Sequence, residues 1–370
     1  MELQNFVNTH NDYLKRFKGE GCRVNRFQNY VVVKQPYGSP ECTGPLYWKM
    51  YCRGAVIDTT SHRVVCLPPV KAQTETTTMS TESEYQPLID GTMVNVWYSP
   101  EPGKGWMIST RGEIGGRNKW MKTSTTFREM FEECLDNAVI ETLDKSCSYS
   151  FVMRHKGNRN VSPVFTNEAY LVEMYRFKDG LIERVDHSEY PSDSRILKVE
   201  TTRDSRAFLD IQGNPNLPPM PYHFKGYTVK AGNQRYKCVN PLFERVQEIK
   251  GCSNNLNLNF LTLRKNGTLK EYLRYFPEHQ HKFNEYRDTL HKMSNDLYNT
   301  YKDVYIYKKR EKSDIPYHLN PMIREIHQRY ISSIVADPEN KGKPTKWSDI
   351  KDYIYNLPPK RLMFAINYVK

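Results

Sequence analysis

The stretch LIDGTMVNVWYSPEPGKGWMISTRG, residues 88–112, decides the fold class. Residues 92–98 and 106–110 form short runs of apolar, β-branched and aromatic side chains, and Pro102-Gly103 supplies a turn between them. Such a pattern predicts two strands. Similar short runs at 30–34, 55–58, 63–67, 149–153, 170–177, 181–184, 227–230 and 236–239 predict eight more, with turn signals at Lys178-Asp179-Gly180 and Ala231-Gly232-Asn233. One helix is predicted over 125–143, where Phe127, Met130, Phe131, Cys134 and Leu135 recur at helical spacing. Runs of strands with a single helix exclude an alternating β/α chain, so the class is α+β.

Beyond Gly251 the apolar period changes to that of helices. Tyr286, Leu290, Met293, Leu297 and Tyr301 form one stripe, and Leu319, Met322, Ile323, Ile326, Tyr330 and Ile334 a second. A further helix is predicted from Thr345 or Ser348 as N-cap, burying Ile350, Tyr353, Ile354 and Leu357 until Pro358-Pro359 stops it. The expected organisation is a strand-rich domain over 1–250 and an all-α domain over 251–370. Residues 72–87, rich in Ser, Thr and Glu, and residues 213–221, with four prolines, are expected as loops.

The 370 residues suffice for two ordinary domains. No run of about 18 apolar residues is present, so no membrane insertion is expected, and the first residues lack the pattern of a signal peptide. Eight cysteines are scattered without a C-x-x-C pair, which predicts reduced thiols and no metal site. There are 54 Lys and Arg against 42 Asp and Glu, a formal charge of +12, of which +8 lies after Gly251. That balance favours an anionic partner, RNA or DNA, although a lysine-rich solvated helical surface produces the same count. No Walker loop, H-E-x-x-H or G-x-S-x-G is present, which leaves kinase, zincin and esterase chemistries without support.

Six motifs, in order, resemble those of the phage-type ATP-dependent RNA ligases of the covalent nucleotidyltransferase superfamily. Tyr51-Cys-Arg-Gly-Ala-Val-Ile-Asp58 is similar to their C-R-G strand, Leu67-Pro-Pro-Val-Lys71 to R-P-x-x-K, and Leu88-Ile-Asp-Gly-Thr-Met-Val94 to K-x-D-G-S/T-L-V. Trp106-Met-Ile-Ser-Thr-Arg-Gly112 resembles the strand that follows. Ser148-Tyr-Ser-Phe-Val152 with Asn158-Arg-Asn-Val161 resembles F-E-F-V…N-R-I-V, and Lys225-Gly-Tyr-Thr-Val229 with Arg235-Tyr-Lys237 and Asn240-Pro241 resembles the last motif pair. The resemblance spans residues 25–252. It implies a ligase adenylation-domain fold with antiparallel sheets, followed by an all-α domain.

The departures bear on chemistry. In the family a lysine amine attacks the α-phosphorus of ATP, and here Leu88 stands at that position. Ser150 and Lys225 fall where the family has glutamates, one holding the ribose or metal and the other beside the metal. Losing the nucleophile and both carboxylates would remove covalent catalysis and metal binding together. The pattern resembles lysine-less ligase relatives of large DNA viruses, which implies a pseudoenzyme acting by binding nucleic acid or other viral proteins, in the host cytoplasm or the virion. No cofactor is then expected.

A residual phosphate-binding cleft is implied, with Arg53, Lys71, Asp90, Gly91, Arg111, Arg235 and Lys237 as its residues. The alternative is that Arg53 and Asp90 simply pair and Gly91 serves a turn. Arg154, Lys156 and Arg159, in a basic stretch with His155, and Lys308, Lys309, Arg310 and Lys312 are candidate nucleic-acid contacts, each with a solvated basic surface as its plainer reading. A second function stays open: an active ATP- and Mg²⁺-dependent RNA ligase with a displaced lysine, Lys71 first, then Lys34 or Lys237. A third is an unrelated structural virion protein.

Overall fold

The strands predicted at 92–98 and 106–110 pair as a hairpin inside the largest of three sheets. In a computed structural model of the chain, the described residues are 2–36, 38–39, 44–74, 83–120, 125–204, 220–232, 234–341 and 343–368. They divide into two compact units, Met1–Gln247 and Glu248–Lys370.

The first unit starts with two short helices, α1 (Glu2–Thr9) and α2 (Tyr13–Gly19), which bury Leu3, Val7, Tyr13 and Phe17 against Trp48. Its first sheet is β1 (Arg23–Phe27), β2 (Tyr30–Lys34), β3 (Arg53–Asp58) and β4 (Arg63–Cys66), paired antiparallel in chain order. A third-sheet strand, β5 (Glu84–Pro87), follows. The second sheet contains β6 (Thr92–Ser99), β7 (Gly105–Thr110), β8 (Cys147–Arg154), β9 (Glu168–Lys178) and β10 (Leu181–Arg184) in the order β10-β9-β8-β6-β7, all antiparallel, with β11 (Leu197–Lys198) parallel to β9. The last two strands, β12 (Gly226–Ala231) and β13 (Gln234–Val239), complete the third sheet in the order β13-β12-β5.

Strand alternation gives the second sheet two different faces. Val94, Val96, Tyr149, Phe151 and Met153 pack on Met130, Phe131, Val139 and Ile140 in an apolar core. On the other face Trp97 packs with Tyr30, Val32, Val56 and Cys66 of the first sheet. Beside Trp97 that same face carries a buried polar row: Asn95 opposite Ser150, and Ser150 opposite Glu173, at 0%, 1% and 3% exposure.

Several expectations need correction. The helix predicted over 125–143 is two short ones, α3 (Phe127–Glu132) and α4 (Asn137–Ile140), because the Asp136 side chain accepts from Ala138 N and starts the second. The loop expected at 72–87 contains β5, whose backbone is held by pairing with the distant β12, while 75–82 lies outside the described residues. Of the predicted proline-rich loop, 213–219 lies outside them too, as do Cys42 and Asn233. The remaining seven cysteines are unpaired.

Among its described residues the regular elements of the second unit are all helices. Helix α5 (Pro241–Lys250) crosses the division between the units, and α6 (Leu256–Asn266), α7 (Leu269–Tyr275), α8 (Gln280–Tyr301), α9 (Asn320–Ala336), α10 (Trp347–Asn356) and α11 (Pro359–Asn367) follow. Both apolar stripes are interior, with Leu290, Met293, Leu297 and Tyr301 of α8 and Met322, Ile323 and Ile326 of α9 buried. Thr345 caps nothing; it is buried and donates to the Tyr301 hydroxyl, and Lys346 is the N-cap of α10. Pro358-Pro359 ends α10 as expected but also opens α11, since proline at the first helical position has no N–H to leave unpaired.

Candidate anion-binding cleft

Arg53 begins β3, and Gly54 behind it holds φ +113°, a backbone angle that side-chain-bearing residues avoid. A Cβ on Gly54 would stand 2.9 Å from Arg111 Cα, so glycine lets the start of β3 reach the end of β7. Arg53 and Arg111 are therefore neighbours. Burial first, then repulsion from Arg111 and Arg235, pushes the Arg53 guanidinium down to about 10. Arg53 is paired through its backbone with β2, and its side chain has no hydrogen bond or ion pair among the described residues. Arg111 Nη2 donates to Gln35 O at 3.2 Å, and its Nε is buried without a partner. Lys34, at the end of β2, is also held below the usual lysine range by burial and by Arg111 and Arg23.

Asp90 lies just before β6 and is buried. Its Oδ2 accepts from Val161 N at 2.8 Å and Ser162 N at 2.9 Å, and its Oδ1 faces Lys225 Nζ at 3.7 Å. Its ion-pair partner is Lys225 rather than Arg53. Gly91 is required by packing: a Cβ there would lie 2.3 Å from Met153 O on β8. Leu88 N donates to Gly226 O at 2.8 Å, so the chain at Leu88 runs beside the residue that follows Lys225. Burial lowers the Lys225 ammonium, Asp90 opposes that, and Lys237 and Arg53 lower it further. Lys225, Lys237 and Arg53 thus belong to one electrostatic group.

The third sheet brings more positive charge. Thr228 of β12 is opposite both Gln86 of β5 and Lys237 of β13, and Lys230 is opposite Arg235. All five side chains share a face. Lys230 Nζ lies 3.3 Å from Glu173 Oε2, and Arg235 Nη1 lies 3.5 Å from the same oxygen, so this face meets the polar row of the second sheet. Arg184 Nε stands 3.9 Å from Glu173 Oε1, beyond hydrogen-bonding distance. Around these groups is a cavity of about 270 Å³ whose lining includes Tyr51, Glu173, Tyr175, Arg184, Lys230 and Arg235. Gln86 Nε2, Asn95 Nδ2 and Thr228 Oγ1 are buried and unpartnered.

Of the seven cleft candidates, Arg53, Asp90, Arg111, Arg235 and Lys237 are linked in this way, and Gly91 adjoins Asp90. Lys71 is directed elsewhere, its Nζ donating to Ser39 O. Ser150 is paired within the sheet, its hydroxyl donating to Asn95 Oδ1 at 2.8 Å. In the basic stretch, Arg154 pairs with Glu168 at 3.3 Å and donates to Pro163 O, and Arg159 donates to Val161 O. His155 is buried, with Nε2 2.8 Å from Glu133 Oε2; of the basic side chains in that stretch only Lys156 is exposed. Sequence reading missed Glu173 and Lys230. A glutamate inside the apolar run Leu171-Val-Glu-Met-Tyr175 was the available signal, because a charge in a buried strand requires a partner.

Magnesium does not fit this cleft. It prefers carboxylate and phosphate oxygens in octahedral geometry, whereas both oxygens of Asp90 are engaged and Glu173 faces Lys230, Arg235 and Arg184. Among the described residues no group of three or more His, Cys, Asp and Glu side chains could hold a metal ion.

In the second unit, a π-helical turn at Lys302–Ile306 is followed by Lys308 at φ +52°. The amides of Lys309 and Arg310 return to Asp303 O at 2.7 and 3.3 Å. Lys309 lies over the exposed Tyr307 ring and Lys312 over Tyr305, at 5.3 and 5.4 Å from the centroids. The lysines and tyrosines form a basic, aromatic knuckle.

No family model matches the sequence, and no curated protein matches it. Among solved structures the chain is similar to one from Aquifex aeolicus assigned as an ATP-dependent DNA ligase, at 11% identity and a TM-score of 0.41, over 79% of this chain and 81% of that one. Nothing about chemistry follows from a likeness of that order. No helix among the described residues is long and apolar enough to cross a membrane.

Proposed function

We propose that the chain is a ligase-like member of the nucleotidyltransferase superfamily that has exchanged covalent catalysis for the binding of phosphate-bearing ligands, nucleotide or nucleic acid, in the cleft of its first unit. The observation that carries this reading is Lys225 beside Asp90. A cation stands where the family resemblance calls for a carboxylate, within a group that already contains Arg53 and Lys237. Leu88 supplies no nucleophile and Ser150 no charge. Arg53, partly exposed and without an anionic side-chain partner among the described residues, supports an external anion, because Arg111 and Arg235 beside it leave the positive charge there unbalanced. The resemblance to lysine-less viral relatives supports the host cytoplasm or the virus particle as the place of action, with RNA, DNA or viral proteins as partners. The basic helical unit offers further polyanion contacts.

One observation favours a second reading, covalent transfer from a displaced lysine. Lys225 has an ammonium lowered by burial and a carboxylate, Asp90, 3.7 Å away, whereas Lys71 Nζ donates to Ser39 O. Incubation with α-labelled ATP or GTP, with and without Mg²⁺, separates the two readings. Label retained under native conditions and lost on denaturation supports binding; label that survives denaturation and disappears in Lys225→Ala establishes the second reading.

A further inference from the structure

The cleft holds more positive charge than its carboxylates can neutralise, and one of its cations, Lys225, stands where the family resemblance calls for a glutamate beside the metal. Lys237 and Arg53 lie close enough to Lys225 to disfavour its charge, and Arg111 and Arg235 lie next to Arg53. Against them stand Asp90, whose oxygens are already engaged by Val161 N, Ser162 N and Lys225, and Glu173, which is shared by Lys230 and Arg235. Two amide N–H donors, on Gln86 and Asn95, and the Thr228 hydroxyl are buried at 1%, 0% and 1% exposure without partners. Thr228 shares its face of the third sheet with Lys237, and Asn95 is in the row that ends at Glu173.

Building on the proposed binding function, we infer that the cleft takes a terminal phosphate group, from a free nucleotide or from the end of a nucleic-acid strand, without a divalent metal, with the Lys225 ammonium supplying the charge a metal would otherwise bring. A terminal phosphate carries up to two negative charges and three acceptor oxygens on one compact group, which suits a site where several cations outnumber the free carboxylate oxygens. An internal diester carries one charge and is flanked by chain on both sides. Lys225, 27% of whose side chain is exposed, lies at the cleft's accessible edge. Asp90 fixes the ammonium there, and its own charge is offset by two backbone N–H donors, so a phosphate meets a net positive site.

The test measures binding of ATP, of inorganic tripolyphosphate, and of a fluorescent single-stranded oligonucleotide with either a 5′-phosphate or a 5′-hydroxyl, each in EDTA and in Mg²⁺. Full-length protein is compared with Lys225→Gln, Lys225→Arg and Lys237→Gln. The inference expects ATP or the 5′-phosphorylated strand to bind in EDTA, about tenfold or more weakly in Lys225→Gln and in Lys237→Gln, and near wild-type strength in Lys225→Arg. Whichever of the two binds identifies the source of the phosphate. Binding that requires Mg²⁺, or that survives Lys225→Gln and Lys237→Gln unchanged, overturns the inference while leaving the binding function standing. If none of the phosphate probes binds under either condition, both fail. Equal binding of the two oligonucleotides without nucleotide binding shows diester recognition and overturns the terminal-phosphate assignment alone.

Discussion

Glu173→Gln should destabilise the first unit by about 3 kcal/mol, because breaking a buried ion pair by removing one partner typically costs ~3–5 kcal/mol. The glutamate side chain is 3% exposed, and its closest cation, Lys230 at 3.3 Å, is 5% exposed; Arg235 at 3.5 Å is 11% exposed. Glutamine keeps the shape and removes the charge, leaving two cations with almost no water to turn to. Arg184, 30% exposed and 3.9 Å away, can relax into solvent and adds little. Four of the five tryptophans, Trp48, Trp97, Trp106 and Trp120, belong to the first unit, so urea unfolding followed by tryptophan fluorescence reports mainly on it. With a slope of roughly 3 kcal/mol per molar, the midpoint falls by about 1 M. Glu173→Gln combined with Lys230→Met should recover part of that loss, since the second change removes a stranded charge. A midpoint shift below about 0.2 M for Glu173→Gln would refute the claim that this carboxylate ties the third sheet to the second.

Three further outcomes are expected. Gly91→Ala should lower first-unit stability by about 2 kcal/mol in the same unfolding assay, because its Cβ meets the Met153 carbonyl, an atom the sheet holds in place. Phosphate binding should weaken as pH rises from neutrality, starting below the ordinary lysine range: the Lys225 ammonium is lowered by burial, so its charge is lost at a lower pH than that of free lysine, and Lys225→Arg should flatten the calorimetric pH profile. Changing Lys308, Lys309, Arg310 and Lys312 to alanine should reduce the salt slope of single-stranded RNA binding by roughly 0.7 for each phosphate no longer neutralised, as read from titrations at several salt concentrations.

Local pattern was enough to identify most of the strands, because β2, β6, β7, β9 and β10 are bounded by turn residues and carry apolar runs that only a sheet buries. β5 could not be read that way. Glu84-Tyr-Gln-Pro87 follows a polar stretch and is a strand because β12, some 140 positions later, pairs with it. The break at Asp136 and the second helix at Pro359 had local signals, a capping aspartate and an N1 proline, that the helical period outweighed. The site divided in the same way. Motif order named Arg53, Asp90, Arg111, Arg235 and Lys237, whereas the part of Lys225 as Asp90's partner depends on β12 running beside Leu88. Glu173 carries no motif at all, and its importance comes from three cations contributed by other strands.

The central claim is that this cleft is a nucleotidyltransferase site whose catalytic groups have been exchanged for cations and neutral residues, and reversing the exchange tests it most directly. Wild-type protein and the variant carrying Leu88→Lys, Ser150→Glu and Lys225→Glu together are incubated with α-labelled ATP and Mg²⁺, denatured, and separated by electrophoresis. The account predicts an unlabelled wild-type band and a labelled variant band. A labelled wild-type band, or a variant that folds with native far-ultraviolet dichroism yet takes no label, would contradict it.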